Sequence, residues 1–319
     1  LDGDARPDLL LPEEFGTGSP NRLFRNLGPG DAARWPRLAE VTAGAGVALP
    51  RSVMGVAVLD LEGDGLPDLL LTNLLGQAPN REVLLANRGA LRFADVAPAR
   101  GAHAMARAAH DSARAVSWGV LSEDLDSDGL QDLYLVYGHF EPTEEFSLAP
   151  SFYAPMRPGQ PNALLLGRAP EAGEEPGLHF RERPGSCAEE SGRGRGVAAG
   201  DLDGDGCLDL VVVNQDGPTR VLRGLCPGGG GSLEVELRGR GGRSAVGAQL
   251  SLSAGGRRQL RHLIAGSSVH SSLPRRLHFG LGEAAAVDEL RVRWPGGGEQ
   301  VLRGLPRGRP GRPLIIEEE

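Results

Sequence analysis

The sequence predicts an all-β protein: β-propeller blades, incomplete at their N-terminal side, followed by a small β-sandwich or barrel-like domain. Three observations predict this fold. An acidic nine-residue motif recurs through residues 1–227, with short apolar runs on both sides of each copy. Glycine and proline account for 48 and 24 of the 319 residues, which suits many tight turns between short strands. From residue 232 onward the motif is absent, and alternating strand patterns continue.

The motif Asp-x-Asp-Gly-Asp-Gly-x-x-Asp sets the period of the repeats. Complete copies occupy residues 60–68, 124–132 and 201–209, and residues 1–8 form the same motif without its first acid. A run of small apolar residues precedes each complete copy, and a second apolar run follows it. With two further strands in each unit, this pattern indicates four-stranded blades of a propeller. Separate hairpins in an open array are the alternative.

The repeats in this sequence are few for a closed ring. Propellers contain typically about 4–8 blades. The last unit also lacks its outer strand before residue 232. We therefore expect upstream blades to be missing and strands outside this sequence to close the ring.

The spacing of the acids predicts calcium sites. Alternate acids on a tightly turning loop converge on one point, and Ca²⁺ takes about six to eight oxygen ligands. The side chains at motif positions 1, 3, 5 and 9 and the backbone carbonyl at position 7 are the expected ligands. An EF-hand is excluded because position 12 is Leu71, Leu135 or Val212 rather than glutamate. The predicted ligands are Asp60, Glu62, Asp64, Leu66 and Asp68; Asp124, Asp126, Asp128, Leu130 and Asp132; Asp201, Asp203, Asp205, Cys207 and Asp209; and, in the first copy, Asp2, Asp4 and Asp8.

The four copies are not equivalent, and we expect three calcium sites and a fourth, incomplete one. Loop 201–209 matches the motif at every position, so it is the first candidate for a calcium site. Ser127 replaces glycine in the third copy, and Glu62 is longer than the usual aspartate in the second. The first copy has Ala5 at the turn position. The alternative is that the acids only form solvated turns between strands.

The residues around the motifs resemble FG-GAP and VCBS-type propeller repeats, a class also found in integrin α subunits. Residues 119–133 and 196–210 carry this resemblance, which extends over residues 1–225. It implies calcium in the loops and a propeller that serves extracellular recognition.

Residues 232–319 resemble the ASPIC/UnbV domain of the cartilage acidic protein-like family. Segments 245–250, 266–272, 278–282 and 292–298 carry the resemblance, although residues 266–270 lack the aromatic often found there. It implies an extracellular calcium-binding protein with a propeller before this domain. We therefore expect two domains, residues 1–227 and 232–319.

The predicted function is calcium-dependent recognition or adhesion without catalysis, in a secreted, periplasmic or cell-surface protein. The expected ligand is a protein or a glycan. The net charge of −8 argues against nucleic acid, and no run of 18 apolar residues could span a membrane. A propeller-type carbohydrate-active enzyme, a lyase or hydrolase, is the alternative, because fold alone does not decide function.

Several other residues give weaker predictions. Among three cysteines at most one disulfide can form; we expect Cys187 to pair with Cys226, with free thiols as the alternative. The insertion 138–161 could bind a partner through its aromatic residues or pack on its own blade. No acid–base partner is fixed by sequence for the histidines that could suggest zinc or catalysis. The aromatic residues are Phe140, Phe146, Phe152 and Tyr153, and the histidines are His103, His110 and His139.

Overall fold

The computed structural model describes residues 1–13, 20–29, 36–49, 53–73, 82–102, 116–138, 160–185, 191–226 and 231–319. In these residues the structure is almost entirely β, with one short α-helix, α1 (Ala97–Arg100). The described part of the chain contains no helix long and apolar enough to cross a membrane.

The N-terminal part forms a series of small antiparallel sheets, each built from consecutive hairpins. The first sheet contains β1 (Leu9–Leu11), β2 (Arg22–Pro29) and β3 (Pro36–Glu40). The second contains β4 (Val53–Leu59), β5 (Asp68–Asn73), β6 (Val83–Asn87) and β7 (Phe93–Asp95). The third contains β8 (Ser117–Glu123), β9 (Asp132–Tyr137), β11 (Ala163–Arg168) and β12 (His179–Glu182), and β10 (Gln160–Pro161) pairs with β13 (Ser191–Gly192). The fourth contains β14 (Gly194–Gly200), β15 (Asp209–Asn214) and β16 (Arg220–Leu222).

These sheets are propeller-type blades, as the sequence predicted. The second and third blades have four strands in meander order. In the described residues the first blade has no strand corresponding to β4, and the fourth has none corresponding to β7. Each acidic motif forms the turn that leads into the second strand of its blade, so the motifs lie at equivalent ends of the four sheets.

The first strands of successive blades pack side by side, β4 against β8 and β8 against β14. Glycine makes this approach sterically feasible. A Cβ atom on Gly55 would lie 2.5 Å from the carbonyl oxygen of Trp118, and one on Gly119 would lie 3.0 Å from that of Arg195. The Gly-Val pair that recurs before each complete motif therefore has a packing role. Apolar side chains such as Leu84 fill the space between the second and third blades.

The C-terminal part is a β-sandwich. Its two sheets share one core that includes Leu250, Phe279, Leu290 and Trp294. The strands are β17 (Gly231–Arg238), β18 (Gln249–Ala254), β19 (Arg257–His262), β20 (Arg276–Gly282), β21 (Ala286–Arg293), β22 (Glu299–Pro306) and β23 (Leu314–Glu317). One sheet has the order β20-β17-β23 and the other β19-β18-β21-β22. We call this unit the C-terminal sandwich.

One segment of the C-terminal sandwich, residues 266–272, lies against the first strands of three blades. The Ser268 N–H donates to the Val56 carbonyl at 2.6 Å, and the Val120 N–H donates to Ser268 Oγ at 3.0 Å. The Val197 N–H donates to Ser271 Oγ at 3.3 Å. We call residues 266–272 the axial segment, because they occupy the place where β4, β8 and β14 converge.

The disulfide differs from the expected one. Cys207 pairs with Cys226, with a Cα–Cα distance of 5.8 Å, so the predicted Cys187–Cys226 pair is wrong. The physical reason is the hairpin of β15 and β16, which returns the chain to the acidic loop that contains Cys207. Cys187 lies outside the described residues.

Candidate metal centre

The three complete motifs fold into nearly identical turns. Glycine at position 6 has a positive φ of +89° in Gly65, +94° in Gly129 and +92° in Gly206, a conformation that side-chain-bearing residues rarely adopt. The aspartate at position 5 bends over the turn and accepts a hydrogen bond from the N–H at position 7, at 2.8, 2.8 and 2.9 Å in the second, third and fourth loops. The motif thus brings its acids to the inside of a tight loop.

The last acid of each motif ties the loop to the third strand of its blade. Asp132 Oδ2 accepts the Leu125 N–H and Asp132 Oδ1 accepts the Gly167 N–H, both at 2.8 Å. Asp68 and Asp209 make the same pair of bonds. Asp8 accepts from the nitrogen of Leu1 and from the Asn26 N–H at the corresponding positions. The position 9 carboxylate is therefore a structural link, whether or not it also binds a metal ion.

The third loop is the one best arranged for a cation. Asp124, Asp126 and Asp128 each offer a carboxylate oxygen, and these oxygens lie within 4.8 Å of one another. Asp124 is completely buried, at 0% exposure, and its Oδ1 has no hydrogen-bond partner. A buried carboxylate oxygen without a donor is costly unless a cation satisfies it. The residues therefore fit a cation that prefers oxygen ligands.

The fourth loop, which matches the motif best, brings Asp201, Asp203 and Asp209 equally close. Asp209 is buried, but Asp201 is only half-buried and Asp203 is exposed. Arg223 binds this loop, with Nε 2.8 Å from Asp203 and Nη2 2.9 Å from Asp205. A metal ion would have to displace this guanidinium. The motif pattern does not identify Arg223 as a partner of this loop, although Arg223 directly precedes Gly224, whose N–H binds the last acid of the motif.

In the first two loops arginines hold some of the predicted ligands. Glu62 binds the buried Arg100 at 2.9 Å, and Arg25 lies 2.7 Å from Asp2 and 3.6 Å from Asp4. Among the described residues, the close groups of three acids are those of the third and fourth loops. The carbonyl ligands proposed at Leu66, Leu130 and Cys207 stay predictions.

Burial raises the pKa of several loop acids. Desolvation raises the pKa of Asp124 to about 7 and that of Asp132 to about 8. In the second loop it raises the pKa of Asp60 to about 6 and that of Asp68 to about 8. In metal-free protein these carboxyls would thus hold protons in a pH range where exposed acids are ionised, and cation binding would release those protons.

Metal-free protein should become less stable as pH rises from 5 to 8. The folded-state pKa values of Asp60, Asp68, Asp124 and Asp132 lie above the ordinary value of 3.8, so the folded state binds more protons than the unfolded state in this range. Stability therefore falls with increasing pH until the folded-state pKa values are passed. Thermal melts in chelator at pH 5, 6, 7 and 8 check this prediction. A melting temperature that rises steadily over this range would contradict it.

Other predicted residues fall outside the described part of the chain. They are the aromatic residues of the 138–161 insertion (Phe140, Phe146, Phe152 and Tyr153) and the histidines His103, His110 and His139. Their suggested roles remain sequence predictions.

Comparison with known proteins supports the same organisation. The FG-GAP-like repeat family matches residues 1–71, the FG-GAP repeat family matches residues 193–231, and the ASPIC and UnbV family matches residues 239–318. Human cartilage acidic protein 1 is 30% identical over 307 residues, which cover 94% of this chain and 40% of the relative. The Mus musculus protein of that name is 30% identical over 298 residues, covering 91% of this chain and 40% of the relative.

The Xenopus tropicalis cartilage acidic protein 1 is 29% identical over 301 residues, which cover 92% of this chain and 40% of that protein. The chain thus spans about two fifths of the length of the curated relatives it matches. Repeats, sandwich and homology agree: the chain belongs to the cartilage acidic protein-like family of FG-GAP repeat proteins with a C-terminal ASPIC and UnbV domain.

Proposed function

We propose that this chain is a calcium-stabilised recognition or adhesion module without catalytic activity, which binds a protein or glycan outside the cytoplasm. In this proposal residues 1–227 form the repeat domain, residues 232–319 form the second domain, and the acidic loops bind Ca²⁺. The observation that carries it is the buried Asp124, which has an unpartnered Oδ1 and whose carboxylate belongs to the same close group as those of Asp126 and Asp128.

The donor set favours calcium over other common metal ions. The third loop offers carboxylate and carbonyl oxygens, whereas zinc sites usually include cysteine or histidine. In the fourth loop the Cys207 thiol is not free for a metal, because it forms the disulfide with Cys226. Magnesium demands a near-octahedral shell and keeps several waters, while calcium accepts larger, irregular oxygen shells.

Three further features support the location and the absence of catalysis. The disulfide suits an oxidising compartment, and the curated relatives are named for cartilage. The axial segment bonds to the first strands of three blades at the place where they converge. In propellers this place borders the central channel. An occupied axis supports binding on an outer surface rather than a catalytic site at the channel.

Calorimetric titration of the metal-free chain tests the metal-binding part of this proposal. We expect calcium to bind with saturable heat and magnesium to bind much more weakly. The variant Asp126→Asn with Asp128→Asn should lose one site, because both carboxylates face the same point in the third loop. Asp288→Asn, which removes an exposed acid on β21, is the matched control and should bind like wild type. Absence of calcium heat from the wild type would refute the proposal.

The absence of catalysis is tested separately on soluble polysaccharides such as pectin, xylan and chondroitin sulfate. We expect no release of reducing ends or unsaturated sugars at high protein concentration and long incubation, with and without calcium. Reproducible release that increases with protein concentration would favour the carbohydrate-active enzyme instead.

A further inference from the structure

All four acidic loops contact the C-terminal sandwich. In three of them the contact is at the same place, the backbone carbonyl of motif position 6. The donors are the Gly296 N–H to Ala5 at 3.3 Å, Gln249 Nε2 to Gly65 at 2.7 Å, and His278 Nε2 to Gly206 at 3.1 Å. The sandwich therefore binds the same carbonyl of the turn in three separate blades, and this contact depends on the conformation of the turn.

In the third loop the sandwich reaches a predicted metal ligand directly. The Gly280 N–H donates to Asp124 Oδ2 at 3.0 Å, and the Gly282 N–H donates to the Ser127 carbonyl at 3.0 Å. Arg257 Nη1 donates to the Asp128 carbonyl at 2.8 Å. A Cβ atom on Gly280 would overlap Asp124 Oδ2, so only glycine allows this approach.

The fourth loop has a comparable contact. The Gly311 N–H lies 3.3 Å from Asp201 Oδ2, the first acid of that motif. In both loops the sandwich thus donates to the position 1 carboxylate. In the third loop this bond leaves Asp124 Oδ1, the oxygen without a partner, available to the metal ion.

We propose that the C-terminal sandwich holds the calcium loops in their metal-binding conformation, so that calcium binding and docking of the sandwich strengthen each other. This inference rests on the proposed calcium binding. A bound cation fixes the turn and the position 1 carboxylate in the geometry that the sandwich recognises. Linkage then requires the docked sandwich to raise the calcium affinity by the same factor. Groups that orient a ligand in this way typically change metal affinity about 10–100-fold.

Electrostatics alone would not produce this coupling. Arg261 of the sandwich is buried, at 6% exposure, and its charge attracts the acids Asp124, Glu123 and Asp60. That attraction exists without metal, and a bound cation would weaken it. Positive coupling must therefore come from the hydrogen bonds to the loop carbonyls and to Asp124.

Hydrogen exchange of the wild-type chain, in calcium and in chelator, tests the proposal without any substitution. We expect the peptide that contains the Gly280 and Gly282 amides to exchange about tenfold or more slowly in calcium. Peptides from the core pairing of β18 with β21 are the internal control and should change much less. Equal exchange of residues 276–282 in both buffers, when calorimetry shows bound calcium, would overturn the coupling but leave calcium binding intact. Absence of calcium heat would overturn both.

Two neutral substitutions test the reciprocal effect. Gln249→Ala removes the donor to the second loop, and His278→Ala removes the donor to the fourth. Burial lowers the pKa of His278 to about 4, so its loss does not change the charge at pH 7. We expect each variant to weaken calcium binding at its own loop by about 10–100-fold. Ser253→Ala on β18 is the neutral control and should bind as wild type does. Folded variants, verified by circular dichroism, with wild-type calcium affinity at every site would contradict the proposal.

Discussion

Saturating calcium should raise the free energy of unfolding of this chain by about 5 kcal/mol. The figure is about 2.7 kcal/mol for each of two sites at a calcium concentration of about 100 times Kd, under the condition that only the folded state binds. The two sites counted are the third and fourth loops, where the structure brings three acids together. An ion in the second loop would add a similar amount. For a chain of 319 residues that unfolds as one unit, the melting temperature should rise by roughly 8 °C. Melts in calcium, magnesium and chelator measure the effect.

The matched variants assign this stabilisation to particular loops. Asp126→Ala with Asp128→Ala should remove about half of the calcium-dependent shift, because both carboxylates belong to one of the two counted sites. The lost bond from the Leu130 N–H to Asp128 lowers stability in both buffers and cancels in the shift. Asp288→Ala should keep the whole shift. Equal melting temperatures in the three buffers would show that the acids only form turns, and the proposed function would lose its main support.

The parts of the structure that depend on neighbours along the chain are predictable from the sequence. The motif predicts its own turn, because Gly65, Gly129 and Gly206 supply positive φ values and each position 5 aspartate bonds to the N–H at position 7. The apolar runs on both sides of the motif predict the first two strands of each blade. These features are local, so the residues that determine them are visible in a few consecutive positions.

The ranking of the four loops could not be predicted, because it depends on distant residues. Loop 201–209 matches the motif best, yet Arg223 holds Asp203 and Asp205. The third loop departs from the motif at Ser127, yet it buries Asp124 most completely, because the C-terminal sandwich covers it. Similarity to the motif predicts the shape of the turn. The burial of the acids and the presence of a competing guanidinium depend instead on how the blades and the sandwich pack.

The axial segment is another long-range feature. Residues 266–272 carry the resemblance to the ASPIC/UnbV domain, and the sequence offers no physical reason for their pattern. In the structure Ser268 and Ser271 bond to backbone groups of the three first strands. A Cβ atom on Gly196 would lie 2.9 Å from the His270 carbonyl oxygen, so glycine is also needed here for close approach. The segment is thus explained by the blades it contacts, about 70 to 210 residues away in sequence.

Asp132→Ala should destabilise the chain by about 3 kcal/mol in chelator as well as in calcium. The substitution leaves the N–H groups of Leu125 and Gly167 without their acceptor, and each unpaired buried group costs about 1–3 kcal/mol. Burial of the Asp132 carboxyl has a desolvation cost, which also raises its pKa to about 8. The alanine variant avoids this cost, so part of the lost stability is recovered. Denaturant unfolding in both buffers measures the change.

The comparison with Asp126→Ala separates the two roles of the motif acids. Asp126 stabilises the fold mainly by binding the cation. The free energy of unfolding of Asp126→Ala should therefore equal that of wild type in chelator and be lower than that of wild type in calcium. Asp132→Asn, which keeps one oxygen acceptor, should fall between wild type and Asp132→Ala in both buffers. If Asp132→Ala lost stability only in calcium, position 9 would be chiefly a metal ligand, and the link between loop and third strand would contribute little. A loss in both buffers would mean that the motif first builds the blade and then binds the ion.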